Sequence, residues 1–330
     1  MGLTSSVRST VHCWRGPPYP MRFFDRALVA ALRSGVEILK YTAFSGDPAG
    51  GNPAGVVLDA TGLDSAAMQA VAARVGFSET AFLLPPATPR TPDGALDGGS
   101  YAELEVRYFS PLAEVPFCGH ATIAAAVAHA HRYGVGELRL RTQAGPVDVG
   151  TTAAADGTVR ATLVSVPPRT APIAAADLAE LLAALRWSAD DLDPALPPRA
   201  AYAGAWHPVI AAATRQRLAE LDYDLPALAG LMRRLGWTTV DLVWRESATV
   251  FHARNPFPPG GVVEDPATGA AAAALGGYLR ELGLVAVRAE LTVYQGQDLG
   301  RPSVIGLGVP AEPGTGLAVS GTAVPLEPSA

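Results

Sequence analysis

A chain of 330 residues that is 49% hydrophobic and 17% charged can bury one large core or two of ordinary size, and such a composition excludes disorder over most of its length. Its net charge of −6, with Arg233 and Arg234 as the one adjacent basic pair, argues against a nucleic-acid partner, which needs a clustered basic surface. Two cysteines, Cys13 and Cys118, make a disulfide framework improbable, and no Cys-x-x-Cys or His-x-x-x-His spacing offers a metal site.

Met1 to Pro20 carry Arg8 and Arg15 without a continuous apolar stretch, so they are not expected to form a secretory leader. Residues 1–35 are set aside as an extension, and no apolar run is long and clean enough to span a bilayer. A cytoplasmic protein with no membrane partner is the expectation. Val36 to Tyr41 and Gly55 to Ala60 have strand character. Asp64 to Val75 places Met68, Val71, Ala72 and Val75 at helical spacing, and Gly76 follows as a C-cap. Thr80 to Leu84 reads as a strand stopped by Pro85-Pro86, Ala87 to Ser100 as a surface loop, and Glu103 to Phe109 as an alternating strand.

Two regions then repeat one another. Arg107-Tyr-Phe-Ser-Pro leads to Gly119 and an Ala-rich stretch ending at Tyr133-Gly134; Arg254-Asn-Pro-Phe-Pro leads to Gly269 and an Ala-rich stretch ending at Leu282-Gly283. Each is followed by a strand and turn, Glu137 to Gly145 and Ala289 to Gly296. Repetition at this distance suggests two halves of one architecture. A helix of small residues is thin, so a sheet can wrap closely around it. The expected fold is therefore α+β: two similar domains, 36–160 and 161–330, each a curved, mostly antiparallel, barrel-like sheet around a central helix, with the active site in the cleft between them. The C-terminal strand is a candidate to return to the first domain. Two ordinary Ala-rich helices remain the alternative.

Facing helix N-termini would offer unpaired N–H groups and partial positive charge to a carboxylate, with Gly119 and Gly269 allowing close approach. Glu79 stands at the head of an apolar strand, where burial would raise its pKa and suit it to acid–base work; a solvated residue at a strand start is the competing reading. His120 follows Gly119 and could relay a proton or simply face solvent. Asp265 precedes the second helix as a dipole-stabilised carboxylate or a structural cap. Cys118 is read as packing rather than as a nucleophile.

Gly51-Asn52-Pro53-Ala54-Gly55-Val56-Val57, Phe77-Ser78-Glu79-Thr80-Ala81-Phe82, Glu114-Val115-Pro116-Phe117-Cys118-Gly119-His120, Glu264-Asp265-Pro266-Ala267-Thr268-Gly269, and Gln295-Gly296 with Gly300-Arg301-Pro302-Ser303 together resemble the PhzF-like family of phenazine biosynthesis, which has the diaminopimelate-epimerase fold. The resemblance spans about 36 to 305, and 165 to 245 contributes no motif to it. It implies a cofactor-independent isomerase of secondary metabolism that shifts a proton and double bonds on a small, cyclic, unsaturated carboxylic acid. Glu79 is the implied proton carrier, with His120 and Asp265 assisting and Gly119, Gly269, Ala270 and Asn52 binding substrate. It implies no metal, no organic cofactor and a homodimer. The family often has Ser where this chain has Ala270. Cys118 with no cysteine opposite it disfavours a two-thiol epimerase. An amino-acid-type racemase or epimerase and a catalytically silent acid-binding protein are the alternatives.

Overall fold

The computed structural model describes residues 35–85, 101–286 and 288–326; most of the N-terminal extension and the Ala87–Ser100 loop lie outside them. The first half runs β1 (Leu39–Ala43), β2 (Asn52–Val57), α1 (Ser65–Val75), β3 (Glu79–Leu84), β4 (Tyr101–Phe109), β5 (Glu114–Val115), α2 (Gly119–Tyr133), β6 (Glu137–Thr142), β7 (Gly145–Ala153) and β8 (Val159–Val164). The second runs β9 (Arg169–Pro172), α3 (Ala175–Leu185), β10 (Arg199–Tyr202), β11 (Trp206–Ala211), α4 (Arg215–Ala219), α5 (Leu225–Leu235), β12 (Asp241–Arg245), β13 (Val250–Pro256), β14 (Glu264–Asp265), α6 (Gly269–Glu281), β15 (Ala289–Gln295), β16 (Ser303–Val309) and β17 (Ala318–Pro325).

Hydrogen-bonded neighbours close the first half into a ring of order β1-β2-β3-β4-β6-β7-β8-β17, with β17 pairing antiparallel to both β8 and β1. The last strand of the chain thus completes the first barrel. The second sheet follows the same pattern in the order β9-β10-β11-β12-β13-β15-β16-β17. Side chains alternate across these strands: Leu138 and Leu140 point inward while Arg139 and Arg141 pair outside with Asp148 and Glu103.

The central helices are thin because they must be. Ala121, Ala124, Ala125, Ala126 and Ala128 of α2 are sealed inside the first ring. In α6 a Cβ added at Gly276 would stand 2.3 Å from a Leu317 methyl, and one at Gly277 2.3 Å from Pro168. Both distances are far inside van der Waals contact, so the residues leading into β17 and β9 pack on α6 over its glycines.

The halves match beyond the two Ala-rich helices. Helices α1 and α5 each have 11 residues, an N-cap carboxylate (Asp64 accepting from Ala67 N–H, Asp224 from Ala227 N–H) and a left-handed C-cap glycine, Gly76 or Gly236. Arg107 forms a two-pronged pair with Glu114 across β4 and β5, and Arg254 repeats it with Glu264 across β13 and β14. The strand expected at Gly55 to Ala60 instead begins at Asn52, because β2 registers against β1 from Asn52 opposite Ala43.

Candidate active site

The N-terminal ends of α2 and α6 come together where the two halves meet. Neither helix has a side-chain cap, and the first helical bonds run from Thr122 N–H to the Cys118 carbonyl and from Ala272 N–H to the Thr268 carbonyl. The N–H groups of the first turn therefore lie outside the intrahelical ladder, where an anion can take them. Gly119 is open around its missing side chain, with nothing nearer than 4.0 Å to an added Cβ; Gly269 is tighter, with Phe44 and Val319 at 3.4 Å.

Glu79 begins β3 and reaches the first turn of α2. Its Oε2 lies 3.5 Å from Cys118 Sγ, which donates to it, and 3.5 Å from His120 Nε2. The Glu79 side chain is 17% exposed and His120 only 7%, so the carboxylate is the more accessible of the pair. His120 Nδ1 stands 3.3 Å from Cys118 Sγ, and Ser78 Oγ lies 3.3 Å from His120 Nε2. Burial pushes the Cys118 thiol well above its ordinary pKa, and the Glu79 charge pushes it further. A thiol held protonated is a hydrogen-bond donor rather than a base.

Asp265 enters from the other half. Burial raises its pKa to about 6, against the opposing pull of the His120 charge and of hydrogen bonds from Thr268 and Asn52. Glu79 raises it too, which places both carboxyls in one electrostatic site. Thr268 Oγ1 donates to Asp265 Oδ2 at 2.5 Å. Gln295 braces the turn by donating to the Asp265 carbonyl at 2.7 Å and accepting from Thr268 N–H at 3.0 Å.

Asn52 has a different immediate task from the substrate contact expected of it. Its Nδ2 donates to Asp265 Oδ1 at 2.8 Å and to the Ala267 carbonyl at 3.0 Å, so this amide nitrogen ties the first half to the second. Arg301 reinforces the tie, donating to the carbonyls of Gly51 and Gly50 at 2.8 and 2.6 Å and so fixing the loop that delivers Asn52. Ala270 is part-exposed in the first turn of α6. The clamping roles of Ser78, Gln295 and Arg301 were hidden in sequence. All three stand in quoted motifs, but their partners are remote in the chain.

The trio Glu79, Cys118 and His120 also has its donor atoms within 4.8 Å of one another, a set able to hold a metal ion. No helix among the described residues is long and apolar enough to cross a membrane.

A model of the phenazine biosynthesis-like protein family, PhzC-PhzF, matches residues 41–328. An uncharacterised isomerase of Deinococcus radiodurans is 36% identical, with 80% of this chain and 83% of that protein aligned. The trans-2,3-dihydro-3-hydroxyanthranilate isomerase of Pseudomonas chlororaphis is 31% identical over 80% of this chain and 86% of its own. The PhzF-family protein of Bacillus anthracis superposes with a TM-score of 0.77 at 25% identity, covering 88% of this chain and 97% of that one. A probable proline racemase from Agrobacterium radiobacter, at a TM-score of 0.57 and 14% identity, shares the fold alone over 88% of this chain and 90% of its own. With the family model matched over most of its length and isomerases among its relatives, the chain belongs to the phenazine biosynthesis-like protein family and is one of its isomerases.

Proposed function

We propose that this isomerase shifts a proton, and with it double bonds, on a small cyclic unsaturated carboxylic acid of the dihydro-hydroxyanthranilate type, with Glu79 as the one proton carrier. The observation that carries the reading is the asymmetry between the halves. Phe82 on β3 pairs with Arg107, and Leu242 on β12 pairs with Arg254, so the position of Glu79 in the first half corresponds to Thr239 in the second. Counting from Gly119 and Gly269, Cys118 corresponds to Thr268 and His120 to Ala270. One half supplies the acid–base group, and the other supplies neutral residues and Asp265. A carrier on one side suits removal and return of a proton on the same face of the substrate.

The substrate carboxylate is assigned to the N-termini of α2 and α6. Ionised Glu79 accepts the proton as a C–H bond next to the conjugated system breaks, and the electron pair spreads into that system. The new O–H bond then breaks as a C–H bond forms at another carbon, with no net oxidation or reduction. Because the substrate's own conjugation carries the charge, the reaction calls for no cofactor. His120 and Asp265 orient the ring and steady the charge that develops. The test is incubation with trans-2,3-dihydro-3-hydroxyanthranilate and related acids in deuterated water, followed by mass spectrometry and NMR. Deuterium at a new carbon of an isomerised product is expected, and no exchange with any such acid would overturn the reading. Asp265, with a pKa near 6 and coupled to Glu79, supports a second reading as a two-base epimerase. That reaction would place deuterium at the original carbon with inversion.

A further inference from the structure

The second sheet holds a buried polar chain that the proposed reaction does not use. His207 on β11, Thr239 just ahead of β12, Asp241 on β12 and Asn255 on β13 are almost wholly buried, Asp241 being 1% exposed. Val209, Ala211, Val243, Phe251 and Ala253 form the core facing α6, and strand alternation puts His207, Asp241 and Asn255 on the same faces. The bonds have a defined direction. Thr239 Oγ1 donates to Asn255 Oδ1 at 2.7 Å, and Asn255 Nδ2 donates to Asp241 Oδ1 at 3.0 Å. Since the threonine proton is committed, His207 Nδ1 is the donor to Thr239 Oγ1 at 2.8 Å. That leaves His207 Nε2 without a hydrogen-bond partner among the described residues, and Asp241 Oδ2 has none among them either.

The position of this chain is informative. Thr239 occupies the second-half counterpart of Glu79, and Asn255 stands directly opposite Asp265 in the β13–β14 ladder. Facing residues of an antiparallel pair project from the same side of the sheet with their Cβ atoms roughly 5 Å apart. Asn255 is therefore the neighbour on which the strand carrying Asp265 is laid. Its own amide is held at both ends, by Thr239 and by Asp241. If packing alone were wanted here, an apolar residue in place of Asp241 would avoid burying a carboxyl with an unpartnered oxygen.

We propose that Asp241 is a positioning residue for Asp265, acting through Asn255. It holds the Asn255 amide in one orientation, and so fixes the short strand from which Asp265 meets Asn52 and Thr268. The titration of Asp241 agrees: burial raises it to about 7 against the lowering hydrogen bond from Asn255, while burial depresses His207 to about 4. The groups facing Asp241 from β11, β13 and the entry to β12 (His207, Asn255 and Thr239) are thus neutral at pH 7. The inference rests on the proposed part of Asp265 in turnover, and the experiment separates the two.

In the full chain, Asp241→Leu removes the acceptor for Asn255, whereas Asp241→Asn keeps an oxygen in its place. The carboxyl titration of Asp265 is followed by 13C NMR, and deuterium incorporation into trans-2,3-dihydro-3-hydroxyanthranilate is measured per folded molecule. In Asp241→Leu the Asp265 midpoint should fall from about 6 by at least half a pH unit as the strand loosens toward solvent, and turnover should drop about tenfold or more. Asp241→Asn should restore both to near wild type, a rescue that bulk destabilisation would not give. A folded Asp241→Leu protein with the wild-type midpoint overturns the proposal. A moved midpoint with unchanged turnover upholds the link and overturns instead the role of Asp265 in the reaction. Should Asp241→Leu not fold, Asn255→Ser reads the same link, and an unmoved Asp265 midpoint there overturns it.

Discussion

Replacing Asn52 by leucine isolates the hydrogen bonds that join the halves while keeping side-chain volume close to that of asparagine. Asn52 is 2% exposed, and its Nδ2 serves both Asp265 Oδ1 and the Ala267 carbonyl. A hydrogen bond to a charged group contributes about 1.5 to 3 kcal/mol, and one pKa unit is about 1.4 kcal/mol, so losing the bond should raise Asp265 by about one to two units. From its present value of about 6, the carboxyl would then titrate near 7 to 8. The sign of the stability effect follows. A carboxyl whose folded pKa lies above its unfolded value loses folded-state stability as pH rises from the unfolded toward the folded pKa. Wild type completes that loss near pH 6, whereas Asn52→Leu continues to lose stability up to about pH 8. The unpaired Ala267 carbonyl adds about 1 to 3 kcal/mol at every pH. Urea denaturation at pH 5 and pH 8.5, with 13C NMR of Asp265, measures both terms. An Asp265 midpoint still near 6 in the variant, with a pH-independent stability difference, would refute the assignment of Asn52 as its stabilising donor.

Glu79→Gln should fold normally, bind substrate and lose about 10² to 10⁴ in turnover, the range general acid–base catalysis supplies, as read by deuterium exchange in single-turnover experiments. Cys118→Ser should stay within about tenfold of wild type, because the protonated thiol acts as a donor and a hydroxyl donates as well; loss of turnover in the folded variant would point to thiol chemistry. Ala270→Ser adds a hydroxyl at the part-exposed first turn of α6 and should lower KM for a carboxylate substrate by about tenfold, with little change in kcat, in steady-state assays. Asp241 has a folded pKa of about 7 against 3.8 for the free group, so its ionisation should cost the folded state up to about 4 kcal/mol as pH rises from 4 to 8. Asp241→Asn should lack that decline, and parallel stability curves for the two proteins would contradict it.

What the sequence revealed follows from which interactions are local. The caps of α1 stand beside the helix they end, so Asp64 and Gly76 are visible in a short window. The Ala-rich runs after Gly119 and Gly269 are equally local, and their likeness exposed the duplication. Helix α5 repeats the same Asp and Gly caps at the same length, yet its interior shares little with α1 beyond small and apolar residues. The stretch from 165 to 245 therefore offered no motif. Closure of the first ring by β17 depends on pairing Ala323 with Ala43 and Ala318 with Val164, registers that no local pattern encodes. The Asn52–Asp265 bond likewise joins residues 213 apart, and only the fold makes them neighbours.

On the proposed mechanism, the duplication accounts for a single carrier. A symmetric pair of halves would set two equivalent groups against a substrate from opposite faces, the arrangement needed for inversion. Here the second half retains the frame (Arg254 with Glu264, the α5 caps, the thin α6) while the counterparts of Glu79, Cys118 and His120 are Thr239, Thr268 and Ala270. The frame contributes packing and orientation, and those survive loss of chemistry at its end. Asp265 is differently placed: its partners Asn52, Thr268 and Gln295 hold the strand and turn in place, and burial raises its pKa to about 6. A carboxyl braced on several sides moves little and suits orienting a ring better than following a proton between carbons. In the proposed reaction Glu79, with a thiol and an imidazole at 3.5 Å and a part-exposed side chain, is the group assigned to that transfer.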